Sequence, residues 1–148
     1  MKILLTAFDP FGGATVNPAW EVVSRLKEDW GVHTVKKLLV PTVFGEAEAL
    51  VNGTAAQWGA DAVICVGQAG GRFEITFERV AINMDDASIP DNAGNQPQDL
   101  SITPGGEGAI SPSKRWRRRC GWRGFRHPSA IPLEPLSATI FFTGSWRR

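Results

Sequence analysis

The stretch AVICVGQAGGRFEITFERVAINMDDASIPDN, residues 62–92, decides the fold class of this chain. Its first five residues form an uninterrupted apolar run, which is typical of a buried strand. The glycines that follow, from Gly67 to Gly71, permit a loop with unusual backbone angles. Loops at the carboxyl ends of strands are where α/β proteins bind their ligands. The stretch therefore predicts a buried strand that ends at a functional loop.

Residues 76–83 alternate well enough to predict a second strand, with Glu78 on the face that also carries Val80 and Ile82. An ionised carboxylate among apolar neighbours is unfavourable unless it is paired. Two interpretations of Glu78 stay open, a structural ion pair and a catalytic role, and the pattern alone favours the ion pair. Glu78 forms a structural ion pair, with Arg79 or a neighbouring element, or it is a carboxylate placed for chemistry.

Two strands and two helices are predicted before this stretch. They are a strand at Lys2–Ala7, a helix that starts at Asn17-Pro18 and is ended by Gly31, a strand at Thr34–Val40, and a helix from Ala47 to Trp58 that stops at Gly59. The first helix has an apolar face that includes Leu26 and Trp30. The order β-α-β-α-β with short connections predicts a three-layer α/β/α sandwich with a mostly parallel central sheet.

Two predicted loops, Phe8–Gly13 and Gly67–Arg72, follow strands of the same sheet. Because the carboxyl ends of parallel strands meet at one edge, these loops should form a common site. The site would combine an aromatic pair, Phe8 and Phe11, with backbone amides. Core packing of the two rings under the loop is an equally good interpretation. Neither GxGxxG nor GxxxxGK[ST] occurs, so the sequence does not support phosphate binding.

The composition is that of an ordinary soluble domain. The chain has 148 residues, of which 43% are apolar, and no apolar run approaches the roughly 18 residues of a membrane helix. The amino terminus lacks the cleavage region of a signal peptide, so we expect a cytoplasmic protein with no membrane contact. Cys65, Cys120, His33 and His127 do not form a spaced set. The sequence therefore predicts no disulfide framework, no metal and no cofactor.

The charge distribution divides the chain into two parts. Residues 1–110 carry 7 Lys and Arg against 14 Asp and Glu, a net charge of −7, whereas residues 111–148 carry 9 against 1, a net charge of +8. The basic part also holds three of the six tryptophans. Clustered arginine with interleaved aromatic residues is typical of nucleic-acid contact, so a nucleic-acid-binding tail is one interpretation of this part, although we regard it as the less favoured one.

Three segments, TAFDPFGG with NPAWE after it, GQAGGRFEITFERVAIN and DDASIPDNAGNQP, resemble the type I pyroglutamyl peptidases, or pyrrolidone-carboxylate peptidases. These are cytoplasmic cysteine peptidases that remove an N-terminal pyroglutamate from peptides. The resemblance covers about residues 1–110. It implies an α/β/α fold, a homotetramer, peptide substrates with N-terminal pyroglutamate, and a catalytic triad of Glu, Cys and His.

The resemblance also implies roles for individual residues. Glu78 would be the triad glutamate, Phe8 and Phe11 would sandwich the lactam ring, and Gln68 would line the pocket with its backbone. Pyroglutamate has no charged amine, so a flat apolar slot with a few backbone hydrogen bonds suits it. Where the family usually has an arginine that helps to stabilise the oxyanion, this chain has Ser88.

The nucleophile motif of the family, Thr/Ser-Ala-Gly-Thr-Phe-Val-Cys-Asn-His, is absent, and neither cysteine stands in such a context. Read one base out of register, however, the codons allowed for His127–Ile140 can spell Ser-Val-Ser-His-Ser-Ala-Gly-Thr-Phe-Val-Cys-Asn-His. We therefore predict an incomplete peptidase domain at 1–110 and a frameshifted, disordered tail at 111–148. Such a chain would be inactive, with part of a sheet face and a strand edge uncovered. A non-enzymatic interaction protein on the same fold is a further interpretation.

Overall fold

The structure is a computed structural model that describes residues 1–70, 75–78, 80–105, 109–110 and 138–143, with residue 80 and the last two ranges described by their backbone only. In chain order the elements are β1 (Lys2–Phe8), α1 (Pro18–Arg25), β2 (Asp29–Trp30), β3 (His33–Val40), α2 (Glu46–Trp58), β4 (Ala62–Gln68), β5 (Thr76–Phe77), β6 (Val80–Ala81), β7 (Ala109–Ile110) and β8 (Ala138–Thr143).

Within the described residues, the main sheet has the strand order β2-β3-β1-β4-β8-β5. The central strand β1 pairs parallel with both β3 and β4, and β5 pairs parallel with β8, whereas β2 and β8 run antiparallel to β3 and β4. The crossovers through α1 and α2 run in opposite directions across the sheet, so right-handed connections put the two helices on opposite faces. The predicted α/β/α fold with a mostly parallel sheet is confirmed.

Strand β1 lies at the centre of the core, and side chains on both of its faces are buried. Leu4 and Thr6 are buried on one face, and Leu5 and Ala7 are buried on the other. On the second face a cluster joins β1 to α1 and β4 through Leu5, Ala7, Ala19, Val23 and Val66. A continuous apolar run is the pattern expected of a strand buried on both faces. The predictions for β1, β3, α2 and β4 are confirmed, including the left-handed Gly59 that ends α2.

The first helix is shorter than predicted, since α1 ends at Arg25 and does not continue to Gly31. Leu26 is already extended, and the Nζ atom of Lys37 donates to the carbonyl oxygens of Ser24 and Leu26 at 2.9 and 3.1 Å. Gly31, with φ of 70°, instead lies in the turn between β2 and β3. The lysine on β3 satisfies helix-end carbonyls that further helical turns would have satisfied, which the helical spacing alone does not reveal.

The single strand predicted at residues 76–83 is wrong. Residues 76–77 form β5 in the main sheet, whereas residues 80–81 form β6 in a second sheet with β7. The alternation is real, but a period of two does not specify which strand is the partner. Glu78 therefore follows the end of a strand and does not lie within one.

The expectation of an uncovered strand edge is also wrong for β4. Strand β8 pairs along it from Val63–Thr143 to Gln68–Ala138. Its sequence, ATIFFT, is rich in residues that favour strands. The remainder of the predicted tail, residues 111–137 and 144–148, lies outside the described residues.

Candidate functional site

The carboxyl edge of the parallel strands brings two of the predicted site residues close to each other. Phe8 is the last residue of β1 and Gln68 is the last residue of the adjacent β4. The last paired row of β1 and β4 joins Ala7 to Val66. Phe8 and Gln68 therefore lie just beyond the paired part of these two strands. Phe8 is half-buried and Gln68 is exposed. The two predicted loops therefore begin side by side, as the parallel arrangement requires.

The loop after β1 carries Phe11 on a tight turn. The amide of Ala14 donates to the carbonyl oxygen of Phe11 at 3.1 Å, and Gly12 and Gly13 have φ values of 63° and 81°. Glycine is needed here because other residues are strained in this region of backbone conformation. Phe11 is half-buried on this loop. A half-exposed aromatic pair beside a sheet edge can bind a small flat ligand.

The carboxylate of Asp9, between the two phenylalanines, holds this loop to the loop that follows β3. Its Oδ1 atom accepts hydrogen bonds from the amide and the hydroxyl of Thr42, at 2.8 and 2.7 Å. The amide of Asp9 donates to the carbonyl oxygen of Val40, and the carbonyl oxygen of Asp9 accepts from the side chain of Asn17, which also caps α1. Bonds to a charged acceptor are the stronger kind of hydrogen bond, so Asp9 fixes the backbone between Phe8 and Phe11.

A third segment, residues 85–100, leaves the fold and returns to it, and we call it the excursion. Its base is closed by the Asp85–Leu100 bridge and its middle by the Ala87 amide, which donates to the carbonyl oxygen of Pro97. Its tip lies against the loops after β1 and β3. There the amide of Asn92 donates to the carbonyl oxygen of Thr42 at 3.0 Å. Three loops thus meet at the edge that carries the aromatic pair.

Asp91 organises the tip of the excursion. Its carboxylate accepts hydrogen bonds from the amides of Ala93, Asn95 and Phe44 and from the side chain of Asn95, at 2.7 to 2.9 Å. Desolvation at this contact raises the pKa of the Asp91 carboxyl, but these hydrogen bonds outweigh it and lower the pKa from 3.8 to about 2. The tip therefore requires an ionised Asp91.

Glu78 lies farther from the aromatic pair than the other predicted residues. It is half-buried and follows Phe77, the last residue of β5. Ile140 of β8 pairs with Phe77 on one side and with Val66 of β4 on the other. Since β8 lies between β5 and β4, about two strand spacings, or roughly 10 Å, separate β5 from β4. Arg79, the ion-pair partner that the sequence suggests, lies outside the described residues. Ser88 is exposed on the excursion.

Neither cysteine occupies this edge within the part of the chain that the structure describes. Cys65 is half-buried in the interior of β4, in the same row as Thr6 of β1, and Cys120 lies outside the described residues. Among the described residues, no group of His, Cys, Asp and Glu side chains has the arrangement of a metal site. In the same residues, no helix is long and apolar enough to cross a membrane.

Comparison with known proteins identifies the family of this chain. The sequence profile of the family described as pyroglutamyl peptidase matches residues 1–114. The chain belongs to the pyroglutamyl peptidase family. The match includes Phe8, Phe11, Gln68 and Glu78, the residues that the sequence resemblance singled out, and it ends before most of the basic tail.

Relatives and solved structures agree with this assignment. The chain is 54% identical over 106 residues to a pyrrolidone-carboxylate peptidase of Staphylococcus haemolyticus, covering 72% of this chain and 50% of the relative. It is 52% identical over 146 residues to one of Bacillus velezensis, covering 96% and 63%. The crystal structure of pyroglutamyl peptidase I from Bacillus amyloliquefaciens superimposes with a TM-score of 0.76 at 36% identity, covering 95% of this chain and 79% of that one. The chain spans about half to two thirds of the length of these curated relatives.

Sequence reasoning missed the polar clamp formed by Asp9, Thr42 and the excursion tip. The sequence predicts only a loop at Phe8–Gly13, and it presents the DDASIPDNAGNQP segment only as part of the resemblance. The sequence indicates only local hydrogen bonds at these positions. An Asp or Asn beside proline and glycine readily hydrogen-bonds nearby backbone, but the identity of the partner loop depends on the tertiary fold.

Proposed function

We propose that this chain carries the substrate-binding half of a cytoplasmic pyroglutamyl peptidase, an enzyme that releases an N-terminal pyroglutamate from peptides. The observation that carries the proposal is the family match over residues 1–114, which includes the aromatic loop next to Gln68. Phe8 and Phe11 would hold the two faces of the lactam ring, and the backbone of Gln68 would hydrogen-bond its amide group. An uncharged flat ring is recognised by apolar faces and a few polar groups, not by an acidic residue.

The reaction assigned to the in-frame protein is acyl transfer to a thiol. A cysteine thiolate attacks the pyroglutamyl carbonyl, and an imidazole takes the thiol proton and later gives it to the leaving amine. Water then hydrolyses the thioester, which releases pyroglutamate. Glu78 would orient the imidazole, in the way that a carboxylate fixes the tautomer of a catalytic histidine.

The 148-residue chain would not perform this reaction, because its two cysteines are unsuited to the role. Cys65 lies inside β4, in the same row as Thr6 of β1, and not on the loops of the proposed site. The nucleophile would instead be encoded out of frame, by the codon that straddles Ser137 and Ala138. A frameshift also accounts for the arginine, tryptophan and proline content of residues 111–148, since GC-rich DNA read out of frame yields these residues.

The test compares two purified proteins of verified mass, the 148-residue chain and a product with the reading frame restored near residue 110. The restored protein should release the fluorophore from a pyroglutamyl amide, and thiol alkylation should abolish the release. The 148-residue chain should release none. Thiol-dependent hydrolysis by the 148-residue chain would overturn the frameshift interpretation, and a folded but inactive restored protein would overturn the peptidase assignment.

We further propose that the working protein is a homotetramer, and that the base of the excursion contributes to its contacts. Ile82, Met84, Leu100 and Ile102 are all exposed on paired segments there. Neighbouring exposed apolar side chains mark protein contacts more often than single ones do. In the restored protein, Leu100→Lys should reduce the mass measured by light scattering, whereas Val32→Lys, at an exposed position on the β2–β3 turn, should not. Equal masses for both variants would argue against this surface.

A further inference from the structure

We propose that Asn92 is a positioning residue that sets the backbone between Phe8 and Phe11 from across the site. Its Nδ2 atom donates to the carbonyl oxygen of Pro10 at 2.9 Å and to Oδ1 of Asp9 at 3.3 Å. Both acceptors belong to the two residues that separate the phenylalanines. The inference deepens the proposed function and rests on it, because the loop in question is the proposed lactam site.

The side chain of Asn92 acts on a loop that β1 alone does not hold. β1 ends at Phe8, and the next sheet-like hydrogen bond, from the Asp9 amide to Val40, is the last before the turn at Phe11. The carbonyl group of Pro10 lies beyond that bond, and proline has no amide hydrogen with which to fix itself. The hydrogen bond from Asn92 is therefore a contact from outside the loop that reaches Pro10, the residue before Phe11.

The backbone of Asn92 is held independently of its side chain, which makes the side chain separable by mutation. The Asn92 amide donates to Thr42, and Asp91 anchors the rest of the tip through its own hydrogen bonds. Truncating the side chain should leave the tip docked while it releases the carbonyl group of Pro10. The geometry of a binding loop then relaxes without loss of the fold, which weakens binding by removing preorganisation.

The matched control is Asn83, another asparagine whose side chain hydrogen-bonds a neighbouring segment. Its Nδ2 atom donates to the carbonyl oxygen of Thr103 at 2.7 Å, and its Oδ1 atom accepts from the amide of Thr103 at 2.8 Å. These bonds lie at the base of the excursion, away from the aromatic loop. Asn83→Ala therefore removes side-chain hydrogen bonds to the backbone of Thr103, which is not part of the proposed site.

The experiment uses the full 148-residue chain and L-pyroglutamyl amide as the probe. Two quantities are measured by NMR in the wild type, Asn92→Ala and Asn83→Ala: the dissociation constant of the probe, and the hydrogen-exchange rate of the Ala14 amide, which closes the turn at Phe11. We expect Asn92→Ala to raise both about threefold to tenfold, the range for one or two partly exposed hydrogen bonds. Asn83→Ala should change neither, at an equal or larger loss of unfolding stability.

A second variant separates positioning from general loosening. Asn92→Asp keeps the shape but places a carboxylate beside Oδ1 of Asp9 and the carbonyl oxygen of Pro10, so it should disturb the loop more than alanine at pH 7. Protonation below about pH 4 would restore a donor, and the Ala14 exchange rate, corrected for its intrinsic pH dependence, should return toward the wild-type value.

Asn92→Ala values that match those of Asn83→Ala would overturn the inference. If the wild-type chain does not bind the probe, the proposed lactam site fails, while the Ala14 exchange rates still decide whether Asn92 positions the loop.

Discussion

Removing the carboxylate of Asp9 should destabilise the protein far more than its location on a loop suggests. Asp9→Ala leaves the amide of Thr42 without its acceptor and leaves the hydroxyl of Thr42 with only a longer bond, 3.3 Å, to the carbonyl oxygen of residue 9. Both donors are half-buried between two loops. The donor from Asn92 is also lost, but it is exposed and longer, at 3.3 Å. The main effect thus comes from two short hydrogen bonds to an ionised group.

The size of the effect follows from these two bonds. A hydrogen bond to a charged group contributes about 1.5–3 kcal/mol when it is buried, and the half-buried site calls for the lower end of that range, so the pair gives roughly 3 kcal/mol. For a chain of this length such a loss corresponds to a fall in Tm of about 6–12 °C. A surface substitution without such a partner usually changes stability by less than about 0.5 kcal/mol.

Urea unfolding followed by tryptophan fluorescence measures this loss, and Asp61→Ala is the control. The Asp61 carboxylate accepts one backbone hydrogen bond, from Lys2 at 2.7 Å, but it is exposed at the opposite edge of the sheet. A double-mutant cycle of Asp9→Ala with Thr42→Val should show a coupling of about 1 kcal/mol or more. A loss no larger than that of Asp61→Ala, or a cycle without coupling, would refute the role of Asp9 as the link between the two loops.

Three further predictions concern the proposed site. In the restored protein, Phe8→Ala and Phe11→Ala should each raise KM about tenfold or more, because a ring face contributes roughly 1.5–3 kcal/mol of apolar burial; variants that only melt earlier would be core residues. Glu78→Gln in the same protein should lower kcat roughly a hundredfold or more at nearly unchanged stability, whereas a large stability loss with normal turnover would support the structural ion pair. The pKa of Asp91 is lowered from 3.8 to about 2, so its contribution to stability is complete above about pH 4 and is lost as the pH falls through about 2. Unfolding midpoints measured between pH 2 and 6 should show this loss, and Asp91→Asn should reduce it.

The parts of the fold that could be predicted are those in which one residue pattern has one structural solution. The apolar runs of β1 and β4 favour strands, and two helices between three strands leave few topologies. The edge that carries Phe8 and Gln68 followed directly from that topology. The family resemblance then supplied roles that no pattern of spacing could have supplied for Phe11 or Glu78.

The parts that could not be predicted depend on a partner distant in the sequence. Helix α1 ends at Arg25, where Lys37 of β3 donates hydrogen bonds to the carbonyl oxygens of Ser24 and Leu26. The alternation at residues 76–83 is divided because β5 and β6 pair with different strands. The clamp at Asp9 joins residues more than 30 positions apart. In each case the local sequence allows several partners, and the tertiary fold selects one.

The proposed lactam site and the proposed nucleophile belong to different parts of the sequence. The contacts that shape the proposed lactam site join the loops after β1 and β3 to the tip of the excursion, and all of them lie between residues 8 and 95. The proposed change of reading frame after about residue 110 would leave every one of these residues unaltered, whereas the proposed nucleophile would be encoded after it. The hydrogen bonds of the proposed lactam site are indeed present in the 148-residue chain. On the proposed function, such a chain binds pyroglutamyl ligands without hydrolysing them.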